Sequence, residues 1–218
     1  MRFGLSEHSR FKFMAHGSSR VRNDQFNPRV GFELGRPKIV FLLWYACKCL
    51  FFLSPLPWPS RFKSCLLRLF GSQIGRSVCW KPRVNIHIPW NLTVGEFTWV
   101  GEEVCIYDFA PVTVGAHCCL SQRAFLCAAN HDYSKPGMAY RHAPIEIHDG
   151  VWVGAQAFVG PGVSLGPDCV VSAGSVVSRS LPEAMVCAGN PCRPVRPRWK
   201  DFPESATPQP RETNPSAP

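Results

Sequence analysis

The chain has 218 residues, the size of one domain with appendages. Its 24 Lys and Arg against 15 Asp and Glu leave a net charge of +9, which suits polyanionic partners: nucleic acid, an acidic membrane surface or a phosphate-rich cofactor. Eleven cysteines, an odd number with no C-x-x-C spacing, argue against a disulfide-stapled scaffold and read as reduced thiols in a cytosol.

Residues 1–38 read as a flexible lead-in, polar as far as Asn27 and without the apolar core of a signal peptide. A helical segment is predicted over 39–72. It opens with the apolar run Ile39–Leu53, ended by the prolines at 55, 57 and 59, and continues with the basic, amphipathic stretch Arg61–Phe70. The apolar run is shorter than the roughly 20 residues a spanning helix needs, and Lys48 sits inside it. Two readings stay open here: a cap packed on the mouth of a solenoid, or a helix lying on an anionic bilayer surface.

From Ile74 to Val177 an apolar residue recurs every six positions: Ile74, Trp80, Ile86; Val94, Val100, Ile106; Val114, Leu120, Leu126; then Ile147, Val153, Val159, Leu165, Val171 and Val177. Four positions after most of these stands a small residue, such as Val78, Thr98, Cys118, Ala124, Ala157 or Cys169. A period of six fits neither a helix nor an alternating strand closed by hairpins. It fits a parallel β-helix with three short flat faces, large residues inward and small ones at the corners. This domain is expected over 73–181. The fold class is therefore mainly β, a parallel β-helix with an N-terminal helical segment and a C-terminal cap.

The rhythm breaks between Ile86 and Val94, between Ile106 and Val114, and between Leu126 and Ile147. Each break follows three hexads, so the extra residues stack at one corner, where repeat folds often bind ligands. His131 opens the longest insertion, a loop over 128–146, with Asp132 beside it and Asp108 one coil earlier. Histidine can take a proton near neutral pH, and a neighbouring carboxylate can orient its ring. Outward slots filled by Trp99, Cys105, Phe125, Phe158, Val170 and Val176 form an apolar row. Such a row predicts prisms associating around a threefold axis, a homotrimer with pockets between copies. The cap over 182–200 presents Arg193, Arg196 and Arg198, whose guanidinium forks match phosphate oxygens. Small residues at Gly154-Ala155 and Ala173-Gly174-Ser175 let an extended ligand run close to the backbone. A long thin ligand ending in phosphates has the form of coenzyme A. Residues 201–218, rich in Pro, Ser, Thr and Glu, read as a disordered tail.

These blocks resemble the left-handed β-helix, hexapeptide-repeat acyltransferases, and among them the colanic-acid-biosynthesis type of acetyltransferase, related to the maltose and galactoside acetyltransferases. The strongest carriers are Pro89-Trp-Asn-Leu-Thr93, His131-Asp-Tyr-Ser134, Gly150-Val-Trp-Val-Gly154 and Ala188-Gly-Asn-Pro191. The left hand comes from the resemblance alone, since parallel crossovers are otherwise nearly always right-handed. The resemblance implies an acetyl-CoA-dependent O-acetyltransferase acting on a sugar hydroxyl of an exopolysaccharide or glycan precursor. In that scheme His131 is the general base of a direct transfer, and Asp108, Asn130 and Trp90 lie where the acceptor is held. Trp152 matches a tryptophan lining the pantetheine tunnel, and the amide of Ala155 would face the developing oxyanion. Ala173, Ser178, Arg179 and Arg193 match positions that contact the cofactor. The implied partners are acetyl-CoA and a glycan acceptor, with no metal and no nucleic acid. The implied place is the cytoplasm, with membrane association left open. Two other classes compete. A β-helical zinc carbonic anhydrase places two ligands five residues apart, a spacing no two histidines here show. A non-catalytic β-helix scaffold would have no use for His, Asp and Trp gathered at one corner.

Overall fold

The computed structural model describes residues 21–27 and 30–199; the tail over 201–218 and residues 1–20 of the lead-in lie outside them. The hexads build a parallel β-solenoid with three faces. The first face stacks Gln73–Ile74, Leu92–Val94, Val112–Val114, Ile145–Ile147 and Ser164–Leu165 in that order. The second runs from Cys79–Trp80 to Met185–Gly189, and the third from Asn85–Ile86 to Val176–Val177. All fifteen apolar residues of the six-residue rhythm are buried, and the small residues Val78, Thr98, Cys118, Ala124, Ala157 and Cys169 join them. Thr98 is tolerated inside because its hydroxyl donates to the Gly115 carbonyl at 2.7 Å and accepts from the Cys118 amide at 3.1 Å.

The corners have their own rule. Three positions after the apolar residue the backbone turns left-handed, at Ser77, Phe97 and His117 on the first corner and at Arg83, Glu103, Arg123 and Gln156 on the second, with φ of 54 to 60°. Side chains at those sites point away from the coil, which lets non-glycine residues occupy them. The glycine right after the apolar residue has a different task. At Gly154 an added Cβ would stand 2.5 Å from the Ala173 nitrogen of the next coil, so the glycine allows the coils to stack.

One outward row of apolar side chains was expected; the structure distributes them over two faces. Trp99 and Val170 lie on the second, Cys105, Phe125, Phe158 and Val176 on the third. The cause is simple: every face holds one hexad, so every face repeats the same outward slot.

Helix α1 (Lys38–Cys47) continues through a π-turn, Lys48–Phe52, and α2 spans Ser60–Leu69. Together they close the first coil. Trp44, Phe52 and Leu67 are fully buried. The Trp44 indole donates to the Ile86 carbonyl at 3.2 Å, and Lys63 donates to the Lys81 carbonyl at 3.0 Å. Arg68 donates to the carbonyls of Ile74 and Gly75, capping the exposed edge of the first strand. At the other end Met185–Gly189 still pairs with Val170–Val171, and Cys192–Pro197 then folds back antiparallel along it.

Candidate active site

All three insertions connect the third face to the first, so they stack at one corner as the spacing required. The longest forms a hairpin, Ala129–His131 against Tyr140–His142, with His131 opposite Tyr140. Ala128 and Ala129 are buried and root it in the coil. Residues 21–27, within the stretch expected to be flexible, lie across the hairpin. The Arg22 amide donates to the Pro136 carbonyl at 2.9 Å, and the Phe26 ring meets the edges of His131 and Tyr140 at 5.4 Å.

His131 is half-buried, and its Nδ1 lies 2.7 Å from the Met138 carbonyl oxygen. A carbonyl only accepts, so Nδ1 carries the proton and donates it. In that tautomer Nε2 carries the ring's basic lone pair. A carboxylate was expected to orient this ring, and neither neighbour does. Asp132 accepts from the Ser134 hydroxyl at 2.5 Å and the Ser134 amide at 3.1 Å, with Lys135 at 3.5 Å. These contacts, the Ser134 hydroxyl foremost, hold its carboxyl below the ordinary carboxylate value. Asp108 is fully buried, and its Oδ1 accepts from the amides of Ile88 at 2.7 Å and His87 at 3.1 Å. Its other oxygen has no partner among the described residues. Burial pushes its pKa up to about 8, against the pull of those amides and of Lys48. In this chain Asp108 shapes the corner from beneath and presents no carboxylate to the surface.

The other acceptor candidates divide. Asn130 is exposed beside a groove it shares with Arg141, His142, Ala143 and Pro161. Trp90 is half-buried, its indole donating to the Leu34 carbonyl at 2.9 Å, and so anchors the segment that precedes α1.

What the sequence did not reveal is an aromatic wall. Tyr140 lies 4.7 Å from the His131 ring and 5.5 Å from Phe109, which stacks on Tyr107 at 4.4 Å and meets Phe32 at 4.5 Å. Tyr107 and Phe109 stand in the second insertion, where their alternation was a usable signal; Phe26 and Phe32 come from a polar stretch that gave none. Beside this wall an open pocket of about 440 Å³ is lined by Gly31, Phe32, Glu33, Phe109 and His142.

The cofactor candidates are spread over the prism. Trp152 stands on the second face, half exposed, its indole donating to the Ser121 hydroxyl at 2.8 Å. Ala155 and Ala173 follow at the corner leaving that face, one coil above the other, joined by the bond from the Gly174 amide to the Ala155 carbonyl. Ser178 and Arg179 are exposed just beyond the third face. Arg193 lies in the folded-back strand opposite Ala188, also exposed, with no acidic partner among the described residues. His131 and Trp152 therefore sit at a corner and on a face that do not adjoin one another along the coil. Among the described residues no three His, Cys, Asp or Glu side chains gather as a metal site.

Comparison with known proteins agrees with this architecture. The family model described as bacterial transferase hexapeptide (six repeats) matches residues 144–179. A protein of Escherichia coli strain K12 named as a colanic acid biosynthesis acetyltransferase, WcaF, is 39% identical over 173 residues, covering 79% of this chain and 94% of its own. The galactoside O-acetyltransferase of the same organism is 29% identical over 135 residues, 60% of this chain and 66% of its own. Among solved structures, a hexapeptide-repeat-containing acetyltransferase of Vibrio cholerae O1 biovar eltor, complexed with acetyl coenzyme A, superposes with a TM-score of 0.65. It is 26% identical, and the match covers 73% of this chain and 87% of that one. On its coil, its stacked insertions and its match across nearly the whole length of an acetyltransferase relative, the chain belongs to the hexapeptide-repeat family of acetyltransferases.

Proposed function

We propose that the protein transfers an acetyl group from acetyl-CoA to a hydroxyl of a sugar in a glycan or exopolysaccharide precursor, with His131 as general base. The observation that carries this reading is the bond between His131 Nδ1 and the Met138 carbonyl. It fixes the tautomer in which Nε2 is the base, and it stabilises the imidazolium that forms when Nε2 takes the hydroxyl proton. The sugar oxygen attacks the thioester carbonyl, the C–S bond breaks, and the proton held on Nε2 goes to the leaving thiolate. An O-acetyl sugar and free coenzyme A result, and His131 returns to its neutral form.

The pocket next to the hairpin suits a sugar. Phe32 and Phe109 offer flat apolar faces for the C–H side of a ring, and Glu33 and His142 offer polar groups for its hydroxyls. Asn130 stands in the neighbouring groove, which shares His142 with this pocket; Trp90 and Asp108 support the corner from behind. For the cofactor, Ala155 and Ala173 leave room for the pantetheine arm beside Trp152, and the Ala155 amide serves the oxyanion. Ser178, Arg179 and Arg193 bind the phosphates. Because His131 and Trp152 of one copy lie at separate places on the prism, the complete site forms between copies, in a homotrimer.

The test is a panel of sugars and glycan fragments mixed with acetyl-CoA, following thiol release and the mass of the product. A gain of one acetyl group on an acceptor hydroxyl supports the reading. Thiol release that is identical with and without every acceptor, or stoichiometric zinc in the purified protein, overturns it.

A further inference from the structure

The helical cap uses only one side of its helices. Trp44, Phe52 and Leu67 are buried against the coil, and Lys48 and Lys63 turn inward with them. On the other side Ile39, Leu42, Leu43, Tyr45 and Leu50 are each more than half exposed. Their spacing puts Ile39, Leu42, Leu43 and Leu50 on one stripe of the helical run, and exposed Leu53 and Leu56 follow in the link to α2. Closing the coil explains the buried side and leaves the exposed side without a purpose. Contiguous apolar surface of this kind marks a contact with something other than water.

Charge identifies what that is. Between Leu34 and Gly95 the sequence has nine Lys or Arg and no Asp or Glu. Arg36 and Lys38 stand at the start of the stripe and Arg61 just past its end; all three are exposed and form no ion pair among the described residues. A second copy pressed against this face would bring like charges together. An anionic bilayer meets both demands, taking aliphatic side chains into its boundary and cations at its headgroups. The run from Lys38 to Phe52 is too short to span, and no helix among the described residues is long and apolar enough to cross a membrane.

We propose that the exposed stripe from Ile39 to Leu56 docks the protein on an anionic membrane surface, its helices lying in the interface. The docking is independent of the acetyl-transfer reading, and its test uses no activity readout. The full chain is spun with sucrose-loaded vesicles of phosphatidylcholine alone or mixed with phosphatidylglycerol. The wild type is expected in the pellet with the mixed vesicles, binding them at least about tenfold more tightly than the neutral ones, and less so in high salt. Leu42→Gln with Leu50→Gln is expected to weaken that binding by about tenfold or more at an unchanged melting temperature. Leu42→Met with Leu50→Met keeps it. Lys38→Ala with Arg61→Ala is expected to abolish the preference for anionic vesicles. Wild-type protein left in the supernatant with both vesicle types overturns the proposal, as does glutamine-variant binding equal to wild type. A glutamine variant that pellets normally but sediments as a smaller assembly assigns the stripe to contact between copies instead, which also overturns it.

Discussion

Asp108→Asn isolates the cost of the only acidic side chain in the buried set of the described residues. The substitution keeps Oδ1 as acceptor for the amides of Ile88 and His87 and removes the ability to ionise. With its folded pKa pushed up to about 8 from an ordinary 3.8, Asp108 holds a proton near neutral pH that the unfolded chain has already released. Stability from this group is therefore greatest at low pH and is lost as pH rises, by about 1.4 kcal/mol per unit below pH 8. His87 works the other way. Burial pulls it down to about 4 from 6.5, so its contribution grows with pH only up to about 6.5 and is flat above. Between pH of about 6.5 and 7.5 the slope of Asp108 is left exposed. Lys48, also lowered by burial, stays protonated there or adds stability with pH, so it does not mimic the effect. For a chain of this size the slope amounts to a fall in melting temperature of about 3–5 °C over that unit of pH. Scanning fluorimetry of wild type and Asp108→Asn at one protein concentration should show the fall in the wild type and a shallower line in the variant. Parallel lines would mean that the carboxyl is already ionised in the folded chain, and the account of the corner would be wrong.

Gly154→Ala places a Cβ 2.5 Å from the Ala173 nitrogen and 2.7 Å from the Val171 oxygen, both backbone, and should cost about 1–3 kcal/mol in denaturant melts. Gly160→Ala, whose nearest neighbour would be 3.3 Å away, is its mild control. Trp44→Ala, emptying a fully buried site and losing the bond to Ile86, should lower stability by about 3–5 kcal/mol, with Trp44→Phe losing less. Arg193→Ala should raise the Michaelis constant for acetyl-CoA about tenfold and leave that for the acceptor unchanged, because a charged hydrogen bond to phosphate is lost; an unchanged cofactor constant would remove Arg193 from the phosphate site.

Periodicity made the coil legible because each hexad is one face and each face demands one buried side chain. The stacking of the insertions followed by counting, and with it the place of His131. Three things were out of reach, wholly or in part. The winding hand is not encoded in the spacing and came with the resemblance. The left-handed corners were legible only in part: Gly150, Gly162, Asp168 and Gly174 carry a turn signal, whereas Arg83, Phe97, Glu103, His117, Arg123 and Gln156 at equivalent corners carry none. The orientation of His131 depends on a main-chain carbonyl seven residues later, which any residue could supply, so the sequence drew attention to Asp132 and Asp108 instead. Burial explains the second of these misreadings: a lone aspartate at a repeated corner looks alike whether its carboxylate faces solvent or braces two amides. The aromatic wall was half visible at Tyr107 and Phe109, while Phe26 and Phe32 reach it by tertiary contact alone.

In the proposed mechanism Nε2 of His131 takes the acceptor proton. Acetyl transfer by His131→Ala should be measured against wild type with saturating acetyl-CoA and an accepted sugar, alongside cofactor binding and sedimentation. A loss of about 10²–10⁴-fold in kcat is expected, with cofactor affinity and assembly retained. Turnover equal to wild type would contradict it.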